Sequence, residues 1–321
     1  MGAKPSSFAA AEPFRCGKPK QRADIDTVCS YAACSWIYET DVAAAVAKCS
    51  AYKHNTHVLR VQQEDGDDVV VPCTGALLRH KKSLIVVFRG TSWKHVIDIL
   101  VDMSAVPIAC PLDAGIAVHS GMWSATHMEH HQRDAHASRM VREALMDEKK
   151  KASFDYVYVC GHSLGGGLAL MVALDLMHAG YHSARIRTFG APQVLFEIPP
   201  PLRTTPPTLW ARLNQQTISY VHPLDIVPRL PSNEKWMDKL LPLAEDAAKQ
   251  RVGLLGKWKL HEFLEHHQTE FEKYKRMVQD FRPIGTIQSW TEQEVTLKEL
   301  LSGNQPPGAD YLKYLHAHRC Y

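Results

Sequence analysis

Short apolar runs alternate with longer amphipathic stretches through the middle of the chain. Residues 84–88 read Leu-Ile-Val-Val-Phe and are apolar on both faces of an extended chain, as a strand covered on both sides must be. Further apolar runs bounded by Gly, Pro or charged residues predict strands at residues 69–71, 74–78, 156–160, 186–189 and 218–221. The charged residues 79–82 predict the turn that joins two of these strands.

Helical periodicity separates the predicted strands. Residues 25–52 are rich in alanine and amphipathic, which predicts helices packed on the flank of a domain. Residues 128–151 predict a charged helix, and residues 164–179 an apolar helix that ends before Gly180. Strands that alternate with helices indicate an α/β fold, with a mostly parallel central sheet covered by helices on both faces.

The chain is long enough, at 321 residues, for one large α/β domain. Residues 1–22 are polar, basic and dotted with proline, so we expect a disordered basic tail there. We expect residues 23–321 to form a single domain, because nothing between residues 83 and 230 resembles a linker. Helix formers and mixed charge at about residues 233–280 predict a helical insertion in that domain.

Composition narrows the functional classes. A net charge of +3 is too small to indicate a nucleic-acid partner. No stretch approaches the roughly 18 consecutive apolar residues that a membrane-spanning helix needs. The eight cysteines include no C-x-x-C pair, and the N-terminus carries no apolar export signal. We therefore expect reduced thiols and a cytoplasmic protein.

The sequence around Ser163 carries the strongest chemical signal. Glycines stand two residues before and two after it, at Gly161 and Gly165, and the motif joins an apolar strand to an apolar helix. A nucleophilic serine needs such a tight turn, and the helix that follows points its N-terminal N–H groups at the site where a negative oxygen forms. No lysine follows the glycines, which excludes a phosphate-binding loop.

A nucleophilic serine needs a histidine base and a carboxylate that orients it. In folds that carry this strand–serine–helix motif, the acid follows the serine along the sequence and the histidine follows the acid. Asp225 comes just after a predicted strand and is flanked by prolines, so it is the candidate acid. The histidines that follow it are His261, His266, His267, His316 and His318.

Five ordered segments together resemble the class 3 lipases, a family of α/β-hydrolase fold that includes fungal triacylglycerol lipases. These segments are Val87-Phe88-Arg89-Gly90-Thr91, Val118-His119-Ser120-Gly121, Gly161-His162-Ser163-Leu164-Gly165-Gly166, Thr188-Phe189-Gly190-Ala191-Pro192 and Asp225-Ile226-Val227-Pro228. They span about residues 74–231. Five matches in the family's order are more specific than any single motif.

The resemblance implies further roles. Thr91, which follows Arg-Gly, corresponds to one of the family's oxyanion donors, and the backbone N–H of Leu164, directly after Ser163, to the second. Residues 92–100 follow it where the family carries its lid, although an ordinary amphipathic helix on the core explains them equally well. His316 stands five residues before Tyr321 and beyond a Pro-x-Gly segment, as the family's catalytic histidine does. No acidic residue directly precedes His316, so His318 remains an alternative.

The sequence thus predicts a hydrolase that cleaves lipid esters with Ser163, Asp225 and His316. We expect a lipid-ester substrate, a membrane or lipid-droplet surface as a partner, and no metal or organic cofactor. A feruloyl-type esterase and a lipase-like scaffold with an incomplete triad are the alternatives.

An N-terminal acylation signal and a group of closely spaced histidines each have a functional and an ordinary explanation. The start Met1-Gly2-Ala3-Lys4-Pro5-Ser6 matches the signal for myristoylation at Gly2, which would give a peripheral membrane protein, but such short patterns also arise by accident. His127, His130, His131 and His136 are predicted to share one solvated helix. No cysteine completes a metal-binding signature around them.

Overall fold

A computed structural model describes residues 25–38, 41–49, 55–62, 74–90, 107–127, 136–198, 208–222, 225, 227–230, 232 and 279–289. Its α-helices are α1 (Ile25–Trp36), α2 (Val42–Lys48), α3 (Ser120–His127), α4 (Ala137–Lys151), α5 (Leu164–His178) and α6 (Leu209–Gln216). Its strands are β1 (Thr56–Gln62), β2 (Gly75–His80), β3 (Ser83–Phe88), β4 (Pro107–Cys110), β5 (Asp113–His119), β6 (Tyr156–His162), β7 (Arg185–Phe189), β8 (Leu195–Glu197), β9 (Thr217–Val221) and β10 (Thr286–Ser289).

The larger of two sheets has the strand order β1-β2-β3-β6-β7-β9-β10. The pairs β1–β2 and β2–β3 are antiparallel, whereas every pair from β3 to β10 is parallel. A smaller antiparallel sheet has the order β4-β5-β8. The mostly parallel central sheet predicted from the sequence is therefore confirmed.

Two hydrophobic cores lie on opposite faces of the large sheet. In β3, Leu84, Val86 and Phe88 belong to the core that contains α5, whereas Ile85 and Val87 belong to the core formed with α1 and α2. This division follows from the two-residue side-chain period of a strand. All six residues of β3 are buried, because helices cover both faces of the sheet.

The ends of the parallel strands meet at one edge of the sheet. His162 at the end of β6 pairs with Phe189 of β7, which pairs with Tyr220 of β9. In the same way Phe88, the last residue of β3, pairs with Gly161. The loops after these strands therefore emerge side by side, where parallel sheets bind their ligands.

The sequence predicted most of the central elements correctly. The strands at residues 84–88, 156–160, 186–189 and 218–221 and the helix that ends before Gly180 are confirmed within two residues. The turn predicted at residues 79–82 is shorter, since β2 runs to His80 and β3 begins at Ser83. Lys81 adopts a positive φ of 52° in this two-residue turn.

The single helix predicted to carry both His127 and His136 is wrong, because these two residues belong to different helices. His127 ends α3, whereas His136 caps the N-terminus of α4 by accepting a hydrogen bond from the N–H of Arg139. The two rings stack with their centroids 5.8 Å apart, so they belong to the ends of two helices and not to one helix face.

Several predictions fall outside the described residues. They are the tail at residues 1–22, the strand at residues 69–71 and almost all of the insertion at about residues 233–280. The single domain at residues 23–321 therefore stays a prediction. Among the helices that the structure describes, none is both long and apolar enough to cross a membrane.

Candidate active site

Ser163 occupies a sharp turn between β6 and α5. Its φ of 57° and ψ of −132° are unusual for a residue with a side chain. The turn is held by two backbone hydrogen bonds. The N–H of Ser163 donates to the carbonyl oxygen of Phe189 at 2.9 Å, and the N–H of Gly166 donates to that of Ser163 at 2.9 Å. A strained backbone fixed by its neighbours is typical of a residue held for function.

The glycines of the motif are required by close backbone approaches. A Cβ at Gly161 would lie 2.1 Å from the carbonyl oxygen of Gly165. A Cβ at Gly165 would lie 2.3 Å from the carbonyl oxygen of Phe88. Because no real side chain tolerates such distances, glycine at both positions lets β6, α5 and β3 converge beneath Ser163.

The loop after β3 lies against this turn. A Cβ at Gly90 would lie 2.4 Å from the carbonyl oxygen of His162 and 3.1 Å from the Cβ of Ser163. Thr91 is the next residue in the chain but lies outside the described residues. Leu164 begins α5, so its N–H belongs to the first helical turn, where the helix itself offers no acceptor. That N–H is therefore suited to an oxyanion.

Asp225 is fully buried, four residues after the end of β9. Its carboxylate Oδ1 accepts a hydrogen bond from the N–H of Val227 at 2.9 Å, and its own N–H donates to the carbonyl oxygen of His222 at 2.9 Å. Since β9 lies two strands from β6, Ser163 and Asp225 emerge from the same edge of the sheet, on strands about 10 Å apart.

The histidine that would join them lies outside the described residues. This holds for His316, His318, His261, His266 and His267 and also for the lid candidate at residues 92–100. β10 nevertheless shows where the C-terminal segment begins. Because Ser289 pairs in parallel with Val221, the chain leaves β10 at the same edge as Ser163 and beside the loop that carries Asp225.

Sequence reasoning did not consider His222. It is half-buried, and burial lowers the pKa of its imidazole while the nearby charge of Asp225 raises that pKa. A signal existed in the sequence, since His222 stands only three residues before the candidate acid. It was missed because the expected chain order places the base after the acid.

Tyr38 was also missed. Its Oη lies 3.3 Å from Nδ1 of His162, the residue directly before Ser163. The guanidinium carbon of Arg89 lies 5.4 Å from the centroid of the Tyr38 ring, within the range of a cation–π contact. No sequence signal identifies this contact, because 124 residues separate Tyr38 from His162.

Two further histidines have strongly lowered pKa values, the buried His119 and the half-buried His127. Burial lowers the pKa of His119 to about 4 and that of His127 to about 4. Nδ1 of His119 accepts a hydrogen bond from the N–H of Met122 at 3.3 Å. The ring of His127 stacks on Trp123 at 3.6 Å. Within the described ranges, no three histidine, cysteine or carboxylate side chains are grouped to hold a metal ion.

Comparison with known families identifies the core of the chain. Residues 85–235 match the model of the family described as lipase (class 3). This stretch contains the elements that hold Ser163 and Asp225 and the small antiparallel sheet beside them. The resemblance found in the sequence is confirmed, and so is the α/β-hydrolase fold. Residues 85–235, just under half of the chain, are similar to the class 3 lipase family.

Curated relatives are lipases of fungi and of a nematode. A secreted mono- and diacylglycerol lipase A of Penicillium cyclopium is 29% identical over 177 residues, which cover 51% of this chain and 53% of the relative. A lipase of Rhizomucor miehei is 31% identical over 96 residues, 30% of this chain and 24% of the relative. A Caenorhabditis elegans lipase is 26% identical over 220 residues, 66% of this chain and 56% of the relative. The chain thus spans about half or less of the length of these relatives.

Solved structures of fungal lipases are also similar. Rhizomucor miehei triacylglyceride lipase superimposes with a TM-score of 0.49 and 20% identity, over 66% of this chain and 76% of that one. A lipase from Rhizopus microsporus var. chinensis gives a TM-score of 0.48 and 22% identity, over 64% and 67%. The Penicillium relative is secreted by name, so it lends no support to the cytoplasmic location expected from the sequence, which stays a prediction.

Proposed function

We propose that this protein is a serine hydrolase that cleaves acylglycerol-type lipid esters, with Ser163 as its nucleophile. The observation that carries the proposal is the conformation of Ser163, held at a positive φ between β6 and α5 at the carboxyl edge of the sheet. This strand–turn–helix context is the one in which a G-x-S-x-G motif acts as a nucleophile elbow.

The reaction follows from the groups around that edge. Ser163 Oγ attacks the ester carbonyl carbon while the base, His316, takes the hydroxyl proton, and Asp225 orients the imidazole. The N–H groups of Thr91 and Leu164 stabilise the oxyanion. The C–O bond to the alcohol then breaks, and His316 returns the proton to the leaving oxygen. Water hydrolyses the acyl-enzyme by the same steps and releases the fatty acid.

The base is assigned to the segment after β10. Its support is the parallel pairing of Ser289 with Val221, which directs the chain from β10 to the edge that carries Asp225. His316 is the proposed base and His318 the alternative on that segment. His222 is a third candidate, because the charge of Asp225 acts on its imidazole and raises the pKa, although His222 precedes the acid in the chain.

The proposed substrate class rests on the relatives. The Penicillium lipases are named for mono- and diacylglycerols, so we propose glycerol esters of fatty acids as substrates of this chain. Such esters lie in membranes or lipid droplets, so we propose that the enzyme works at a lipid surface. Attachment through an acylated Gly2 remains a prediction from the sequence.

A fluorophosphonate probe tests the nucleophile directly, since it bonds covalently only to an activated serine. We expect the intact protein to be labelled and peptide mass spectrometry to map the adduct to Ser163. The Ser163→Ala variant should not be labelled. The matched control is Ser153→Ala, which removes an exposed serine between α4 and β6 and should label like the wild type.

The alternatives give different results. A lipase-like scaffold with an incomplete triad would leave Ser163 unlabelled in the folded wild-type protein, which would overturn the proposal. A feruloyl-type esterase would be labelled but would hydrolyse small aromatic or short-chain esters and leave long-chain acylglycerols intact. That outcome would keep Ser163 as nucleophile and replace the proposed substrate.

A further inference from the structure

Tyr38 lies two residues after the end of α1 and contacts segments next to Ser163. Its hydroxyl oxygen is near two segments that are distant in the chain. One is His162 of β6, whose Nδ1 is 3.3 Å away. The other is Gly90, where an added Cβ would come within 2.5 Å of the same oxygen. Arg89 also lies over the Tyr38 ring.

The hydroxyl hydrogen-bonds to both segments. The backbone N–H of Gly90 donates to Tyr38 Oη, an interaction that lowers the pKa of Tyr38 against the larger effect of burial, which raises it. An oxygen that accepts from Gly90 keeps its own proton to donate to His162 Nδ1. Burial keeps the hydroxyl neutral, so it retains that proton at physiological pH.

We propose that Tyr38 is a positioning residue that fixes the oxyanion loop, here Arg89 and Gly90, against the turn that carries Ser163. The inference rests on the proposed function. Both residues are described by the structure, and the proposed donor Thr91 follows Gly90 directly in the sequence. A hydrogen bond to the Gly90 N–H restrains the backbone that sets the direction of the next N–H group.

This role predicts an effect on turnover more than on binding. An oxyanion donor acts mainly where negative charge develops in the transition state, so a displaced donor lowers kcat and leaves ground-state binding nearly intact. Misplacement by even 1 Å can cost about 10²-fold in rate. Loss of packing alone would instead lower thermal stability without selective loss of kcat.

The test is the Tyr38→Phe variant of the full chain, which keeps the ring beneath Arg89 and removes only the hydroxyl. We expect kcat for a soluble ester to fall about tenfold or more, with KM within about twofold of the wild type. The rate of fluorophosphonate labelling should fall in parallel. The matched control is Tyr158→Phe, which removes another buried hydroxyl from the α1 face, where it accepts from Arg185 at 2.9 Å, and should keep its kcat.

The Ser163→Ala variant separates the possible failures. If wild-type hydrolysis depends on Ser163 and Tyr38→Phe retains the wild-type kcat, the positioning role is overturned and the proposed function stands. If Tyr38→Phe and Tyr158→Phe lose kcat equally, the effect is structural and the role is overturned. If the wild type shows no Ser163-dependent hydrolysis, the proposed function fails and this inference fails with it.

A double-mutant cycle tests the hydrogen bond between Tyr38 and His162. His162→Leu removes the acceptor of the Tyr38 hydroxyl. If both residues act through one hydrogen-bonded unit, the double variant with Tyr38→Phe should be about as slow as the slower single variant. Fully additive losses would show that the two side chains act independently. This would contradict the claim that they act through their hydrogen bond.

Discussion

Gly165 packs against the carbonyl oxygen of Phe88 so closely that a Cβ on Gly165 would lie 2.3 Å from that oxygen. The contact joins the start of α5 to the end of β3. Because backbone meets backbone there, neither side can yield by a rotamer change. The turn that carries Ser163 and the loop that leads to Thr91 are thus held at a fixed separation.

A single methyl group should disturb this contact. We expect Gly165→Ala to lower the free energy of unfolding by about 1–3 kcal/mol, the usual cost of overpacking a close contact. Ester hydrolysis should fall at least about tenfold, since the turn and the oxyanion loop are forced apart. Denaturant unfolding and initial rates on the same preparation measure both effects.

Gly180→Ala is the control for that variant. Gly180 follows the other end of α5, has a φ of 97° and has no atom within 4 Å of an added Cβ. It should cost about 1 kcal/mol through backbone strain alone and leave the rate per folded molecule unchanged. Equal rates for Gly165→Ala and the wild type would show that the backbone contact does not position the site.

The elements around Ser163 were predictable because their signals are local. The apolar run of β3 requires a covered strand, and the glycines around Ser163 require the tight turn that the structure contains. Asp225 was chosen from its place after a strand and from chain order, and its role as the acid stays a prediction. These features depend on residues within one or two elements of each other.

The features that sequence reasoning missed depend on distant partners. β1 mixes polar and apolar residues and is recognisable only by its pairing with β2. The strand β8 has three residues and forms a sheet with β5, about 80 residues earlier. The separation of His127 from His136 into two helices was missed because both segments read as helix. The contact between Tyr38 and His162 likewise has no local signature.

The identity of the base can be decided by substitution. We expect His316→Ala to lose ester hydrolysis as fully as Ser163→Ala, since the members of a triad act as a unit. His318→Ala and His222→Ala should retain much of the activity, because one imidazole alone can contact both Ser163 Oγ and Asp225. Initial rates of the purified, folded variants give the comparison.

Other outcomes of that comparison reassign the base. An inactive His318→Ala beside an active His316→Ala would move the base by two residues and keep the triad. An inactive His222→Ala alone would place the base before the acid. Full activity in all three variants would leave His261, His266 and His267 as candidates and would weaken the triad itself.

His119 should make stability depend on pH. Its folded pKa of about 4 is below its ordinary value of 6.5, so the unfolded chain binds more protons between these pH values. The contribution of His119 to the free energy of unfolding is complete above about pH 6.5. It is lost as the pH falls through about 4, for a total of roughly 3 kcal/mol. Burial lowers the pKa of His127 in the same way.

His119→Asn tests this pH dependence. The amide oxygen can take the place of Nδ1 and accept from Met122, while the titrating group is removed. Urea unfolding at several pH values should show a shallower loss of stability below pH 6.5 than the wild type shows. His57→Asn, at an exposed histidine of β1, is the control and should keep the wild-type slope. An unchanged slope in His119→Asn would contradict the assignment.

The release of fatty acid from an emulsified long-chain acylglycerol tests the central claim most directly. The wild type and the control Ser183→Ala, which removes an exposed serine beyond α5, should release fatty acid at equal rates. Ser163→Ala, with an unchanged melting temperature, should lose at least about 10³-fold in rate, because only the residual contributions of binding and the oxyanion hole remain. Release by folded Ser163→Ala at the wild-type rate would contradict the assignment of Ser163 as the nucleophile of a lipid-ester hydrolase.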